Sequence, residues 1–338
     1  MTVRLGFLGA GLIAHFHALG LVESGEDIAF AAIHDPDHAR AEEFAAGWGG
    51  TAVATEAEAF EGCDAVYVCT WTSEHARLVG EAAARGLPVF CEKPLAFDAA
   101  AAQAMADTVA EAGVTNQVGL VLRHSPAFAL LRHLVGAPEA GRVMSVVFRD
   151  DQYIPVQGMY GSTWRGDRAR AGAGTLLEHS IHDVDIIEHC IGPVDSVSAR
   201  SANFHGIDGI EDAVATTVAF ADGGLGVHTT VWHDVLERPS LRRVEVFCER
   251  RHIVLENDWT GPVTWTTAGA AEQTLEGPEL EAAVADLGLA RGSADGAFIR
   301  AVRDGRPASP SFADAVRAHR VVDAIYASAA AEGAPVTI

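Results

Sequence analysis

The chain has 338 residues, 46 acidic against 24 basic side chains, a formal net charge of −22 and 49% hydrophobic content. A surface of that sign repels nucleic acid and anionic lipid, so neither is expected as a partner. The hydrophobic content fills the cores of two domains, and the five scattered cysteines (Cys63, Cys69, Cys91, Cys190, Cys248), none in a C-x-x-C pair, fit a reducing cytoplasm without disulfides. No apolar run approaches the roughly 18 residues of a membrane span, and Gly6, Gly9, Gly11, His15 and His17 break the apolar start of the chain, so no anchor or leader is expected.

Strand and helix patterns alternate over the first 122 residues. Buried strands are predicted at 3–8, 28–33, 51–54, 65–70, 88–91 and 114–121. Helices are predicted at 12–23, 36–46, 73–85 and 98–112, the last capped by Asp98 and closed by Gly113. Continuous apolar strands separated by helices predict a parallel sheet covered on both faces. After about residue 123 the pattern changes. A helix at 126–134 leads into strands at 142–149, 194–203, 213–220, 225–231, 243–248, 252–256 and 263–267, several of them alternating apolar and polar. That alternation predicts a largely antiparallel sheet with one face solvated or used for association. A helix at 176–190 interrupts the series, and helices at 294–303 and 312–330 close it. The expected domains are 1–123 and 124–338, with the last helix free to pack back on the first domain.

Gly9-Ala10-Gly11-Leu12-Ile13-Ala14 fits G-x-G-x-x-A between a strand and a helix. Gly9 allows the turn, Gly11 lets backbone approach a pyrophosphate, and Ala14 keeps the helix close to the sheet. The helix N-terminus, with Leu12 and Ile13 in its first turn, offers N–H groups to phosphate. Asp35 ends the second strand where a carboxylate binds the adenosine ribose and repels a 2′-phosphate, which favours NAD over NADP. Lys93 is the chain's only lysine among 23 arginines. It sits in Glu92-Lys93-Pro94 at a strand tip, on the edge where open α/β sheets bind ligands. Lysine can release its proton where arginine cannot. Glu92 is placed to pair with it or to contact the cofactor ribose. In the second domain Glu178 and His182 are four apart, so one helix would put them on a shared face as a carboxylate–imidazole pair suited to base catalysis. His179, His182 and Asp183 lack further ligands, and no metal is expected.

These motifs, with Thr70-Trp71-Thr72-Ser73-Glu74-His75, Val118-Gly119-Leu120 with Arg123, Trp164-Arg165 and the Phe298 to Pro307 ending, occur in an order that resembles the glucose–fructose oxidoreductase / inositol dehydrogenase / rhizopine catabolism (Gfo/Idh/MocA) family. The resemblance covers nearly the whole chain. It implies an α/β architecture: an N-terminal Rossmann doubly wound parallel sheet plus a C-terminal α/β domain with a large, mostly antiparallel open sheet. It also implies an NAD-dependent dehydrogenase acting on a secondary alcohol of a polyol, cyclitol or sugar, in a homodimer or homotetramer. Carried over, Lys93 sits at the reacting carbon, His182 is the acid/base, and Glu178 orients the histidine or holds substrate. Glutamate at 178 replaces the family's usual aspartate. Thr70, Trp71, His75 and Arg165 are expected at the cofactor, and Tyr160 and His233 at the substrate. Two alternatives share the scaffold. One is a glycosidase that retains NAD; the other is a non-catalytic NAD-sensing regulator.

Overall fold

The computed structural model describes residues 2–338. The chain forms two compact units. The first runs to Val121 and takes back residues 291–316; the second comprises 122–290 and 317–338. A single cut near residue 123 therefore does not describe the division.

The first unit is built on strands β1 (Val3–Leu8), β2 (Ile28–His34), β3 (Thr51–Ala52), β4 (Ala65–Val68), β5 (Val89–Cys91) and β6 (Asn116–Val118). They form one parallel sheet in the order β3-β2-β1-β4-β5-β6. That is the doubly wound dinucleotide-binding order, with its reversal point beside β1. Helices α1 (Leu12–Glu23), α2 (His38–Trp48), α3 (Glu56–Phe60), α4 (Thr72–Ala84) and α5 (Ala99–Ala112) connect the strands. The α5 ends match the sequence signals: Asp98 accepts the Ala101 N–H at 2.8 Å, and Gly113 closes the helix at φ 66°. The short α3 escaped sequence reading, although Thr55 and Glu58 form a capping box at its start. The strand expected at 114–121 stops at Val118, and a 3-10 turn follows at Val121–His124.

The core explains why residues 291–316 return to this unit. Phe7, Tyr67 and Phe90 stack side by side across β1, β4 and β5, with centroids 4.8 Å apart. Phe298, from the later helix at Ala294–Asp304, sets its ring edge-on against both Tyr67 and Phe90. Backbone bonds fasten the same segment: Val118 N–H donates to the Pro310 carbonyl at 2.9 Å.

The second unit holds helix α6 (Pro126–Gly136), strand β7 (Val143–Tyr153), the short α7 (Arg168–Ala171) and α8 (Thr175–Glu178), and α9 (Ile181–Cys190). Strands β8 (Val194–Ala202), β9 (Ala213–Phe220), β10 (Leu225–His233), β11 (Leu241–Cys248), β12 (Arg251–Glu256), β13 (Val263–Thr267) and β14 (Gln273–Leu275) follow. Helix α10 (Gly277–Asp286) comes next. Helix α11 (Ala294–Asp304) belongs to the first unit, α12 (Phe312–Ala330) carries the chain back, and β15 (Val336–Thr337) ends it. The sheet has nine strands in the order β14-β13-β12-β11-β7-β10-β9-β8-β15. All its pairs are antiparallel except β7 with β10. The expected large, mostly antiparallel sheet is present; β14, β15, α7 and α10 were not anticipated.

The single helix expected at 176–190 is two helices, α8 and α9, separated by His179 and Ser180. Side-chain chemistry breaks it. The Ser180 hydroxyl lies 2.9 Å from Asp150 Oδ2 and 2.5 Å from Thr230 Oγ1 on the sheet, and Ser180 N–H reaches back to Thr175 O at 2.9 Å.

Close backbone approach sets where the first sheet meets α3. A Cβ at Gly6 would fall on the Ala59 carbonyl oxygen and 3.3 Å from Cys63 Sγ. Gly6→Ala is expected to destabilise the fold by about 1–3 kcal/mol, the usual cost of overpacking, read as a lower urea midpoint. An unchanged midpoint would mean that α3 moves aside freely.

Candidate active site

The first unit contributes a phosphate cradle. Gly9 adopts φ 93°, and a Cβ there would lie 2.5 Å from the Cys69 carbonyl oxygen, so only glycine allows β1 to turn beside β4. At Gly11 an added Cβ meets nothing within 4 Å, and no side chain caps α1. No side chain takes up the opening N–H groups of α1, which leaves them for a phosphate group. Leu12 and Ile13 are exposed in that first turn. Asp35 is buried at the end of β2. It accepts the Ala10 N–H at 2.8 Å through Oδ2 and the Asp37 N–H at 2.9 Å through Oδ1. Its carboxylate therefore braces the glycine turn at the position expected for the ribose.

Two buried histidines hold the tips of β4 and β5. His75, on α4, has Nδ1 3.0 Å from the Pro94 carbonyl oxygen and Nε2 3.3 Å from that of Thr70. Burial lowers its pKa, so it is a neutral ring, and the shorter contact assigns its proton to Nδ1. Thr70 and Trp71 are half-buried where this loop enters α4, and Trp71 is its N-cap. The Nδ1–H bond of His75 thus ties the start of α4 to the Lys93-Pro94 loop, whose peptide is cis.

The second histidine, His17 on α1, was noticed in the sequence only as a break in an apolar run. Its Nδ1–H donates to Asp295 Oδ1 at 2.8 Å and its Nε2–H to Glu92 Oε1 at 2.9 Å. All three side chains are more than nine-tenths buried. Burial by itself would lower the imidazole pKa, but the two carboxylates, Asp295 foremost, push it up to about 10. Glu92 Oε2 accepts the Lys93 N–H at 3.2 Å. Glu92, expected to pair with Lys93 or reach the cofactor ribose, is turned inward onto His17.

The second unit brings Glu178 and Arg165 together. Arg165 Nε donates to Glu178 Oε1 at 2.6 Å and its Nη1 to Ser162 Oγ at 2.7 Å, while its guanidinium lies 4.7 Å over the Trp164 ring. Burial raises the pKa of the Tyr160 hydroxyl, whose ring lies 5.4 Å from that of Tyr153. His182 is buried in the first turn of α9. Glu178 ends α8, so the two do not share a continuous helical face. His233 follows Trp232 on β10 and sits 3.6 Å from Asp151. By strand alternation its side chain lies on the sheet face opposite Thr230 and His228.

The glycine-rich run ahead of Glu178 is seated by Glu211. That carboxylate accepts the Gly174 N–H at 2.8 Å, the Leu176 N–H at 3.0 Å and the Tyr326 hydroxyl at 2.9 Å. A Cβ at Gly174 would overlap the Glu211 backbone. Beneath α9, Arg242 is fully buried among three carboxylates. It donates to Asp183 at 2.5 Å and Asp258 at 2.7 Å, and it lies 3.4 Å from Asp150. His228 also reaches Asp183, at 3.0 Å. Burial would raise the Asp150 carboxyl, but Arg242 and His179 hold it far below its usual range; burial and the charge of Asp150 raise Asp183. Arg242 and Asp150 carry no motif, which is why the sequence did not single them out.

Comparison with known proteins decides the family. Residues 3–120 match the model of an oxidoreductase family with an NAD-binding Rossmann fold, and residues 128–254 match the GFO/IDH/MocA C-terminal domain. The chain belongs to the GFO/IDH/MocA family. It is an oxidoreductase, and NAD is its cofactor. An inositol 2-dehydrogenase of Rhizobium meliloti (strain 1021) is 29% identical over 98% of each chain. The scyllo-inositol 2-dehydrogenase (NAD(+)) of Bacillus subtilis (strain 168) is 32% identical over 66% of each. A solved levoglucosan dehydrogenase, in complex with NADH and levoglucosan, shares the fold at TM-score 0.87 and 21% identity, covering 100% of this chain and 99% of that one. Among the described residues, no GFO/IDH/MocA helix is long and apolar enough to cross a membrane, and no group of three or more His, Cys, Asp or Glu is arranged to hold a metal ion.

The doubly paired His17 makes stability depend on pH. Its folded pKa lies above the ordinary 6.5, so the pairing stabilises fully below about pH 6.5 and is lost as pH rises through about 10. Between about pH 8 and 10.5 the melting temperature is expected to fall more steeply for the native chain than for His17→Gln. Parallel curves in thermal melts would contradict the charged assignment.

Proposed function

We propose that the enzyme oxidises a secondary alcohol of a polyol, cyclitol or sugar, and runs the same chemistry in reverse. The observation that carries this reading is the match to an inositol 2-dehydrogenase along 98% of both chains. Lys93 supports it, as the single lysine in a chain that uses arginine for every other fixed cation.

Bound NAD supplies the hydride acceptor; Gly9, Gly11, Leu12, Ile13 and Asp35 would hold it, with Thr70, Trp71 and the strand-tip loop beside them. The residues of this chain manage the proton and the charge. His182 accepts the hydroxyl proton, because a neutral imidazole is a base near neutral pH. The Lys93 ammonium donates a hydrogen bond to a substrate oxygen and stabilises negative charge that develops there. Glu178, neutralised by Arg165, is fitted to accept hydrogen bonds from neighbouring hydroxyls of a polyhydroxylated substrate. It is not placed on a common helix face to orient His182. Tyr160 offers a further hydroxyl. His233, at the end of β10, is a further candidate to meet the substrate.

We also propose a homodimer or homotetramer in the cytoplasm. The supporting observation is the outward face of the nine-stranded sheet, which exposes Met144, Val147, Leu225, Val227, Val231 and Phe247.

A screen of myo-inositol, scyllo-inositol, levoglucosan and related sugars for NADH formation tests the reading. His182→Ala is expected to lower kcat by about 10²–10⁴-fold and to remove the fall in rate on the acid side of the pH profile, where protonation of the imidazole stops turnover. Lys93→Ala is expected to lower kcat by about 10²–10³-fold, the usual loss for one charge-stabilising donor. Release of a sugar without net NADH would favour a glycosidase that retains NAD. NAD binding with no turnover of any kind would favour the sensor.

A further inference from the structure

We infer that His17, backed by Asp295, is a positioning residue that fixes Lys93 through Glu92. The inference rests on the reading of Lys93 as the residue that meets the substrate oxygen.

The chain of contacts is short and closed to solvent. Asp295 on α11 holds His17 Nδ1 at 2.8 Å, His17 Nε2 holds Glu92 Oε1 at 2.9 Å, and Glu92 Oε2 holds the Lys93 N–H at 3.2 Å. Each link is a hydrogen bond to a carboxylate, the stronger kind in a dry interior. The His17 ring is further fixed by the edge of Phe90, 4.8 Å away on the strand that leads into Glu92.

Two glycines make room for the carboxylates. A Cβ at Gly119 would overlap Glu92 Oε1 and come within 2.9 Å of its carboxyl carbon; one at Gly20 would lie 2.5 Å from Asp295 Oδ2. Neither glycine has a positive φ to explain it. Gly20 lies inside α1, where glycine costs about 1 kcal/mol relative to alanine. The space at both positions serves one ion cluster. Core packing alone does not require a charge here, since hydrophobic residues of like volume fill such a space at no loss in stability. A lysine side chain has four rotatable carbon–carbon bonds, and its reach to a reacting oxygen depends on where its backbone is held. The sheet and the cluster together fix that backbone: Glu92 N–H donates to Val68 O at 2.9 Å, and the Lys93 N–H goes to the Glu92 side chain held by His17.

The single lysine makes the test direct. Growth on ¹³C,¹⁵N-lysine gives one backbone amide and one side-chain Cε signal from the full chain, with ¹⁵N-tyrosine amides as an internal control. In His17→Gln the Lys93 amide and Cε signals are expected to move, and Lys93 amide exchange to quicken at least tenfold, while tyrosine amide exchange stays within twofold. Asp295→Asn, which keeps the shape and one acceptor, is expected to give a change of about threefold or more in the same direction, and it carries the test if His17→Gln does not fold. Unchanged Lys93 signals and exchange in the folded variants would overturn the inference. So would equal acceleration of the tyrosine amides, which marks a merely structural role. A fall in NADH formation by Lys93→Ala on the screened polyols supports the reading beneath it. An unaltered rate overturns that reading whatever the spectra show.

Discussion

A buried charge must be paired, and both units are organised around that constraint. In the first, the carboxylates of Glu92 and Asp295 are out of water and share one imidazolium, His17. In the second, Arg242 lies under α9 with Asp150, Asp183 and Asp258 around it. Losing one partner would leave an uncompensated charge in a dry interior, at a cost of about 3–5 kcal/mol. Each cluster therefore locks the segment that passes over it. The tip of β5 with Lys93 is locked in one unit, and the start of α9 with His182 in the other. Hydrophobic packing sets the layers, as the Phe7–Tyr67–Phe90 stack shows. It leaves a strand tip or a helix start free to shift by an ångström. Directional bonds between buried ions do not.

The break between α8 and α9 follows from the same rule. A continuous helix through 176–190 would satisfy its own backbone, yet it would leave Asp150 buried on β7 without Ser180 and His179. The observed break costs helical hydrogen bonds and gains a hydroxyl and an imidazole for a carboxylate that is wholly buried. With only Arg242 at 3.4 Å, the Asp150 carboxylate would be short of donors in a dry interior, which costs more than one backbone bond, so the side chains win. Glu178 consequently ends one helix and His182 begins the next. Their separation by four in sequence does not make them a helix-face pair.

Much of the architecture was legible because it rests on local patterns. Apolar runs of strand length, the glycines at 9 and 11, the Asp98 cap and Gly113 stop, and the lone lysine before Pro94 each have a meaning within ten residues of sequence. The parallel sheet and the glycine cradle follow from them. What was not legible depends on partners far apart in the chain. His17 and Asp295 are 278 positions apart, and Arg242 and Asp150 are 92 apart. An isolated histidine in a helix that is apolar all round gives no hint of two carboxylates. The return of residues 291–316 to the first unit was hidden for the same reason: Phe298 looks like any core residue until Tyr67 and Phe90 are seen to need an edge-on neighbour. Helix α10 and the short α3 were missed because their few apolar residues set no period.

Glutamate at position 178 shows how a departure from the family pattern can be absorbed. Its extra methylene lengthens the side chain by about 1.5 Å, one carbon–carbon bond. The structure spends that reach on Arg165, which is itself held by Ser162 and by the face of Trp164. An aspartate would stop short of Nε at its present 2.6 Å contact unless the Arg165 turn moved in. The 3-10 turn at Thr163–Gly166 that presents Arg165 and the length of residue 178 are therefore matched to each other. A carboxylate already neutralised by a guanidinium has little attraction for a substrate cation and keeps its acceptor lone pairs for hydroxyl groups.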